Sequence, residues 1–553
     1  MRLAWAAVAL VLPALSGCLG VFDQDHGPTG PVQPADVGYD PDTIKVSGVE
    51  RTAVTIPSFD GTSLAAVVYT PVTADTLPDG SPPRWGVVVA LHGWGFFKEQ
   101  FEGVGGASGA PIPPDSSGNA EYTVNRLDAF ARQGLIAVAY DARGFGRSTG
   151  MSTVAGPAEM QDLDAVLDHV ESHYSTNGLV GIVGQSYGGG QAYNALVDDP
   201  RVTTAVPMYG WVDLYQGLLP GNVPKAEWAA QLVGVGAVGT KGQFTPMIAE
   251  WLQKASTRTD LETVQAQMDA RSALSRLSTI DKPLFICQGL QETLFPQADV
   301  AWEAAGGFTR AIIYTGGHGE DPEDCWAATM DWFLYFLAGK DTGVDSWPAL
   351  RSVDASNQGG ALDYNEFPTP SWQTSYLRAI DSTLAGNSSD VTFTISQRLV
   401  GNPFNEPTGV WDLTGLPNNA APSQFRQDPT ASFFDSAKFS GSEVLLGAPV
   451  VRLHLADNST ETPYQIVGSI YHVGATGKAT LLTRAAHAAL SGGDLDGDDF
   501  VLRFDWTKAD FQPGDSLTLK LSANDPSAFL PLLSNYEVSF TGQSRLELPF
   551  FEG

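Results

Sequence analysis

Leu179-Val180-Gly181-Ile182-Val183-Gly184-Gln185-Ser186-Tyr187-Gly188 carries an apolar, strand-like run into a G-x-S-x-G pentapeptide, and the helix-compatible segment Gln191-Ala192-Tyr193-Asn194-Ala195-Leu196 follows. Strand, tight turn and helix with a serine at the apex make a nucleophile elbow. The small residues have a steric reason. The serine sits at strained backbone angles, and bulk at either flanking glycine would collide across the turn. The pentapeptide is common by itself; its weight comes from partners elsewhere in the chain.

A serine hydroxyl is a poor nucleophile at neutral pH. It needs a histidine to take its proton and a carboxylate to hold that histidine in the useful tautomer. After such an elbow the chain order is serine, acid, histidine. The apolar run 283–287 leads into Gln288-Gly289-Leu290-Gln291-Glu292-Thr293-Leu294-Phe295-Pro296, where Glu292 is the one acidic residue. The run 311–314 leads into Thr315-Gly316-Gly317-His318-Gly319, and the whole chain has 8 histidines. Glu292 is the expected acid and His318 the expected base. Asp299 is the fallback acid, and Glu320 and Asp321 are given no part in the triad. The expected oxyanion donors are the backbone N–H groups of Tyr187, after the nucleophile, and of Trp94, in the loop Leu91-His92-Gly93-Trp94-Gly95. His92 reads as a loop brace. Asp141-Ala142-Arg143-Gly144-Phe145-Gly146-Arg147-Ser148 lacks the Gly-Lys-Ser/Thr ending of a phosphate loop and reads as a structural turn with Arg143 in an ion pair. None of this chemistry calls for a cofactor.

Eight β-type runs, at 53–56, 63–69, 86–91, 135–140, 179–183, 204–208, 283–287 and 311–314, alternate with helical patterns. The first two suit an antiparallel entry, and the later ones are continuous apolar runs suited to strands buried on both faces. A helix starting at Pro157 repeats Met160, Leu163, Leu167 and Val170 on one face. Residues 46–345 are thus expected to form an α/β-hydrolase domain with a mostly parallel sheet. An insertion at 211–280, with Trp211, Trp228 and Trp251, is expected to form a cap whose tryptophans are chiefly its own core. From 346 to 553 the pattern turns to alternation, as in Leu517, Leu519 and Leu521 against Thr518 and Lys520, and predicts an all-β sandwich. Its acidic turn, Asp494, Asp496 and Asp498, has spacing that could hold calcium, but it lacks the closing glutamate of an EF-hand loop and reads as a solvated turn.

The 553 residues suit two or three domains, and 43% hydrophobic content is enough for a sizeable core. A formal net charge of −31, from 31 Lys+Arg and 62 Asp+Glu, argues against nucleic-acid partners and against docking on an anionic membrane face. The expected partner is a small-molecule or peptide substrate. The N-terminus reads as a lipoprotein-type signal peptide, 1–18. Met1-Arg2 precedes an apolar run at 3–15, too short for a transmembrane span, and Leu15-Ser16-Gly17-Cys18 resembles a lipobox. Residues 19–45, rich in Pro, Gly and Asp, read as a tether. The expectation is an exported protein held on the outer face of the membrane by lipid on Cys18, or secreted if Cys18 is incidental. In that setting Cys287 and Cys325 could pair; two buried free thiols are the alternative.

Gln-Ser-Tyr-Gly-Gly-Gly at 185–190, Tyr-Asp-Ala-Arg-Gly-Phe-Gly-Arg-Ser at 140–148, the 288–296 segment and Gly-Gly-His-Gly at 316–319 resemble the Xaa-Pro dipeptidyl-peptidase and cocaine-esterase family of serine hydrolases. Leu446-Gly447-Ala448-Pro449-Val450-Val451-Arg452-Leu453 and Ser544-Arg545-Leu546-Glu547-Leu548-Pro549 resemble its C-terminal jelly-roll, a galactose-binding-like sandwich. The resemblance implies ester or amide cleavage through an acyl-serine, by a dipeptidyl-peptidase or a carboxylesterase; the alternative outside enzymes is an idle surface-binding module. The chain departs from the family twice. The family's acid is usually aspartate, and Glu292 stands there; some members use a tyrosine hydroxyl where Trp94 stands.

Overall fold

The computed structural model describes residues 44–551 apart from 104–123, 242–244, 320–322, 354–360, 369, 380, 390, 398–430, 457–462, 492–494, 497–498, 526–527 and 533. The signal peptide, Cys18, nearly all of the tether, Glu320, Asp321, Asp494 and Asp498 lie outside the described residues.

Among the described residues ten strands make the first sheet: β1 (Gly48–Pro57), β2 (Ser63–Val72), β3 (Trp85–Leu91), β4 (Leu135–Tyr140), β5 (Thr176–Gln185), β6 (Val202–Met208), β7 (Leu284–Gly289), β8 (Thr309–Tyr314), β9 (Leu350–Val353) and β10 (Ala361–Tyr364). Their spatial order is β1-β2-β4-β3-β5-β6-β7-β8-β9-β10. The β1–β2 entry is antiparallel, and pairing is parallel from β4 through β9. The apolar runs are strands because both faces are covered. Within β3, Val87, Val89 and Leu91 join a core with Leu163, Val166 and Leu196 from the helices Pro157–His173 and Tyr187–Asp198. Val88 and Ala90 point the other way, to Phe130, Trp332, Phe333 and Leu337. That is the period-2 alternation of a strand between two helical layers.

From β3 the chain turns one way to β4 and then the other way to β5. The crevice at the carboxyl ends of β3 and β5 is therefore a topological switch point, where open α/β sheets bind ligands. Helices Leu214–Leu218, Ala226–Gly239, Pro246–Thr257, Leu261–Asp269 and Leu274–Leu277 fall between β6 and β7 and form the cap.

The first sheet runs past the expected boundary at 345. β9 pairs parallel to β8, and β10 closes that edge antiparallel to β9, so hydrogen bonding carries the sheet to Tyr364. The β-sandwich begins with the strand Ser371–Arg378. The final strand Arg545–Phe551 pairs antiparallel with Ser371–Arg378, Glu443–Gly447 and Val450–His454. Alternate residues such as Leu517, Leu519 and Leu521 fill the sandwich core with Leu453, Phe500 and Phe540. At the acidic turn Asp496 is ion-paired with Arg452 at 2.8 Å, and among the described residues no cluster of His, Cys, Asp or Glu could hold a metal ion. Among the described residues no helix is long and apolar enough to cross a membrane.

The two domains share a small core of Val223 with Val467, Ala486, Ala488, Ala528 and Phe529. Gly221 is in the left-handed region (φ 51°), and a Cβ there would lie 2.4 Å from the Ala486 carbonyl oxygen, so only glycine permits this approach to the sandwich.

Cys287, inside the fully buried strand β7, is bonded to Cys325 in the helix Glu323–Ala338, with Cα atoms 6.3 Å apart. Closing a segment of sequence separation 38 stabilises the folded state by about 3–4 kcal/mol in the chain-entropy model. Reduction, or Cys287→Ser with Cys325→Ser, is expected to lower unfolding stability by that order in denaturant titrations. An unchanged midpoint would show that the pair adds nothing.

Candidate active site

Ser186 follows β5 at φ 53°, ψ −108°, and the helix Tyr187–Asp198 begins one residue later. The strain persists because the surroundings hold it. Ser186 N–H donates to the Met208 carbonyl at 2.9 Å, and its own carbonyl accepts from Gly190 N–H at 3.0 Å. A Cβ at Gly184 would lie 2.0 Å from the Gly188 carbonyl oxygen, and one at Gly188 would lie 1.9 Å from the Leu91 carbonyl oxygen. Both elbow glycines are thus obligatory by contact with backbone. The turn lifts the hydroxyl off the sheet and places Tyr187 N–H at a helix N-terminus, where partial positive charge gathers.

The three expected residues meet. Ser186 Oγ lies 2.8 Å from His318 Nε2, and His318 Nδ1 lies 2.7 Å from Glu292 Oε2. The carboxylate at Nδ1 fixes the proton there, which leaves Nε2 to accept from the serine hydroxyl. The other oxygen, Oε1, accepts from Leu294 N–H at 2.6 Å and Phe295 N–H at 3.1 Å. Burial pushes the Glu292 carboxyl up, but His318 beside it and the two N–H donors outweigh burial and hold it below its ordinary range. The acid and base loops are laced together: Gln291 N–H donates to the Gly316 carbonyl at 2.8 Å, and Gly316 N–H donates to Gln291 Oε1 at 2.5 Å. Asp299 stands in the helix Ala298–Ala304; the contact to His318 is made by Glu292.

His92 is a brace, as its position suggested. Ala142 N–H donates to its Nε2 at 3.0 Å, so Nδ1 carries the proton and donates to the Gly93 carbonyl at 2.8 Å. Burial pushes its pKa down, in keeping with a neutral ring. Arg143 pairs with Asp162 at 2.7 Å and Asp60 at 3.0 Å. The indole N–H of Trp94 donates to the Leu232 carbonyl in the cap at 2.8 Å. The side chain is committed there, so an oxyanion role for Trp94 rests on its backbone.

Three aromatic rings surround His318: Tyr209 at 5.1 Å, Trp228 at 5.1 Å and Phe295 at 5.9 Å between centroids. Tyr209 is held at φ 39° at the end of β6. Beside Ser186 lies a cavity under the cap, walled by Trp94, Trp211, Leu232, Trp251, Met268 and Phe295. Trp211 and Trp251 are thus both cap core and cavity wall. Among the described residues that line the cavity, Lys225 is the one charged side chain. The roles of Tyr209, Trp228 and Lys225 had no local sequence signal; each acts on a segment far away in the chain.

Two family models match. One, described as X-Pro dipeptidyl-peptidase (S15 family), spans residues 60–320; the other, its C-terminal non-catalytic domain, spans 342–546. Solved structures with the same architecture include an aminopeptidase from a marine-sediment Thaumarchaeota archaeon, with TM-score 0.67, 12% identity and coverage of 97% of this chain and 100% of that one. A CocE/NonD family hydrolase from Staphylococcus aureus has TM-score 0.65 and 13% identity over 96% of this chain and 100% of its own. An α-amino acid ester hydrolase has TM-score 0.67 and 14% identity over 96% and 100%. At such identities the likeness is one of fold. An uncharacterised 31.7 kDa Escherichia coli protein is 29% identical over 120 residues, 21% of this chain, and the match spans 42% of that relative's length.

Glu292→Gln keeps the shape of the acid but removes its charge. It is expected to lower kcat by about 10³–10⁴, by analogy with loss of the acid in other triads, as read on an activated ester. The folded carboxyl titrates below its unfolded value of about 4.3, so its stabilisation is complete above that pH and is lost as pH falls through the folded value. Acid unfolding of Glu292→Gln should accordingly be shallower below about pH 4; a wild-type curve would contradict the ionised state.

Proposed function

We propose that this chain, a serine hydrolase that belongs to the X-Pro dipeptidyl-peptidase (S15) family, is an esterase for uncharged, apolar acyl groups that works through an acyl-Ser186 intermediate. Ser186 Oγ attacks the acyl carbon as its proton passes to His318 Nε2. The oxyanion faces the N–H groups of Tyr187 and Trp94. His318 then gives the proton to the departing alcohol. A water repeats the sequence on the acyl-enzyme and releases the acid, and Glu292 holds the imidazolium throughout.

One observation carries the choice of ester over dipeptide: the cavity beside Ser186 is apolar and holds a lysine but no carboxylate among its described residues. A dipeptidyl substrate would bring its ammonium into that space with no counter-charge, and an unpaired buried ion costs several kcal/mol. An uncharged acyl chain meets a largely apolar wall, with the Lys225 ammonium already bonded to the Leu294 carbonyl. With p-nitrophenyl butyrate and hexanoate against Xaa-Pro p-nitroanilides, the esters should show a kcat/KM at least about 100-fold higher, the ratio that about 2.7 kcal/mol of discrimination gives. Higher kcat/KM for the anilides would overturn the reading. A fluorophosphonate probe should label wild type and not Ser186→Ala; equal labelling of the two would remove Ser186 as nucleophile, and a wild type that fails to label would restore the reading of an idle binding module.

We also propose that the protein is exported and anchored through Cys18, on the strength of the 3–15 apolar run and Leu15-Ser16-Gly17-Cys18. Cells fed an alkyne fatty acid should incorporate it into wild type and not into Cys18→Ser. Label retained in the variant would place the lipid elsewhere.

A further inference from the structure

The segment 220–228, between β6 and the body of the cap helix Ala226–Gly239, touches the sandwich on one side and the triad acid's loop on the other. On the sandwich side, Asn222 Nδ2 donates to the Ala488 carbonyl at 2.5 Å, Leu530 N–H donates to the Pro224 carbonyl at 2.9 Å, and Lys225 pairs with Phe529 in an isolated β-bridge. On the triad side, Lys225 Nζ donates to the Leu294 carbonyl at 2.9 Å, and Trp228 Nε1 donates to Thr293 Oγ1 at 2.9 Å.

The Leu294 carbonyl and Phe295 N–H are two ends of one peptide group. Its oxygen takes the ammonium of Lys225, and its N–H donates to Glu292 Oε1. A cation on the carbonyl polarises the peptide and strengthens the donor at the other end. Lys225 itself is only 5% exposed. A buried ammonium is costly unless the site uses its charge.

We propose that Lys225 is a positioning residue for the triad, acting on Glu292 through the Leu294–Phe295 peptide, and that the β-sandwich sets it in place and tunes it through Asp505. This rests on the triad reading above and assigns the sandwich a part in catalysis. Asp505 of the sandwich, Glu292 of the acid loop and Glu227 in the first turn of the helix that Lys225 caps act on its ammonium through their charge. Asp505 and Lys225 also line a second cavity between the domains, together with Trp228 and the charged groups Glu227, Glu292, Arg484 and Lys508; Asp299 lies near Asp505 as well. Burial pushes the Asp505 carboxyl up to about 6, and burial pulls the Lys225 ammonium down.

The test uses two charge changes of opposite sign in the full chain. Lys225→Met removes a positive charge near the triad; kcat on p-nitrophenyl acetate and the rate of fluorophosphonate labelling should fall about tenfold, and the acidic limb of kcat/KM should move up by about 0.5–1 pH unit. Lys225→Arg should recover most of the loss. Asp505→Asn, which lies outside the acyl cavity, removes a negative charge, and the limb should move down. Lost packing alone would lower thermal stability without moving the two limbs in opposite directions. Unmoved limbs, or limbs moving the same way, would overturn the proposal. If Lys225→Met does not fold, Asp505→Asn decides: a downward shift supports the proposal and no shift overturns it. Ser186→Ala separates the two readings. Turnover near the wild-type rate in that variant sinks the triad itself, whereas a Ser186→Ala that has lost nearly all activity beside a Lys225→Met of wild-type profile sinks only the role of Lys225.

Discussion

The site depends on a backbone crossing at the end of β5. Gly188 lies so close to Leu91, and Gly184 so close to Gly188, that a single methyl at either would overlap a carbonyl oxygen. That crowding locks Ser186 at a positive φ, a conformation that costs on the order of 1–3 kcal/mol and persists only where packing over-determines it. The same crossing brings the carboxyl end of β3, with Gly93 and Trp94, against the start of the helix Tyr187–Asp198. Candidate nucleophile, helix N-terminus and candidate oxyanion loop are brought together by one steric fact, and side-chain braces such as His92 then hold the loop.

The acid is held by a different means. The two oxygens of Glu292 have separate partners: Oε2 holds the imidazole, while Oε1 is tied to two backbone N–H groups of its own loop. A glutamate has one more rotatable bond than an aspartate, and that freedom must be removed for the histidine to be held still. Binding both oxygens removes it. The departure from aspartate is met locally, by the loop closing on the carboxylate.

How much of this was legible in the sequence follows from how local each signal is. β3 through β8 announce themselves because strands buried on both faces must be apolar throughout. Ser186, Glu292 and His318 could be ordered because each sits on a loop just past such a strand. The full reach of the first sheet was not legible: Leu350–Val353 and the edge strand Ala361–Tyr364 are four residues each, too short to stand out from the alternation of the sandwich that follows. Lys225 was not legible either. Its partner Leu294 is 69 residues away, and Asn222 reaches Ala488 across 266. No periodicity encodes such contacts. The Trp94 indole was hidden for the same reason, since Leu232 lies 138 residues on. The pairing of Cys287 with Cys325 needed a distance that spacing does not give.

That disulfide has a topological meaning. Glu292 and His318 both lie between Cys287 and Cys325, so the acid and the base belong to one covalent ring. When the rest of the chain opens, the ring keeps the two within a confined volume, and their effective concentration remains that of a short closed loop. A protease that nicks the backbone between them leaves both halves tethered through sulfur. Ser186, outside the ring, is the member of the proposed triad whose return depends on the sheet re-forming.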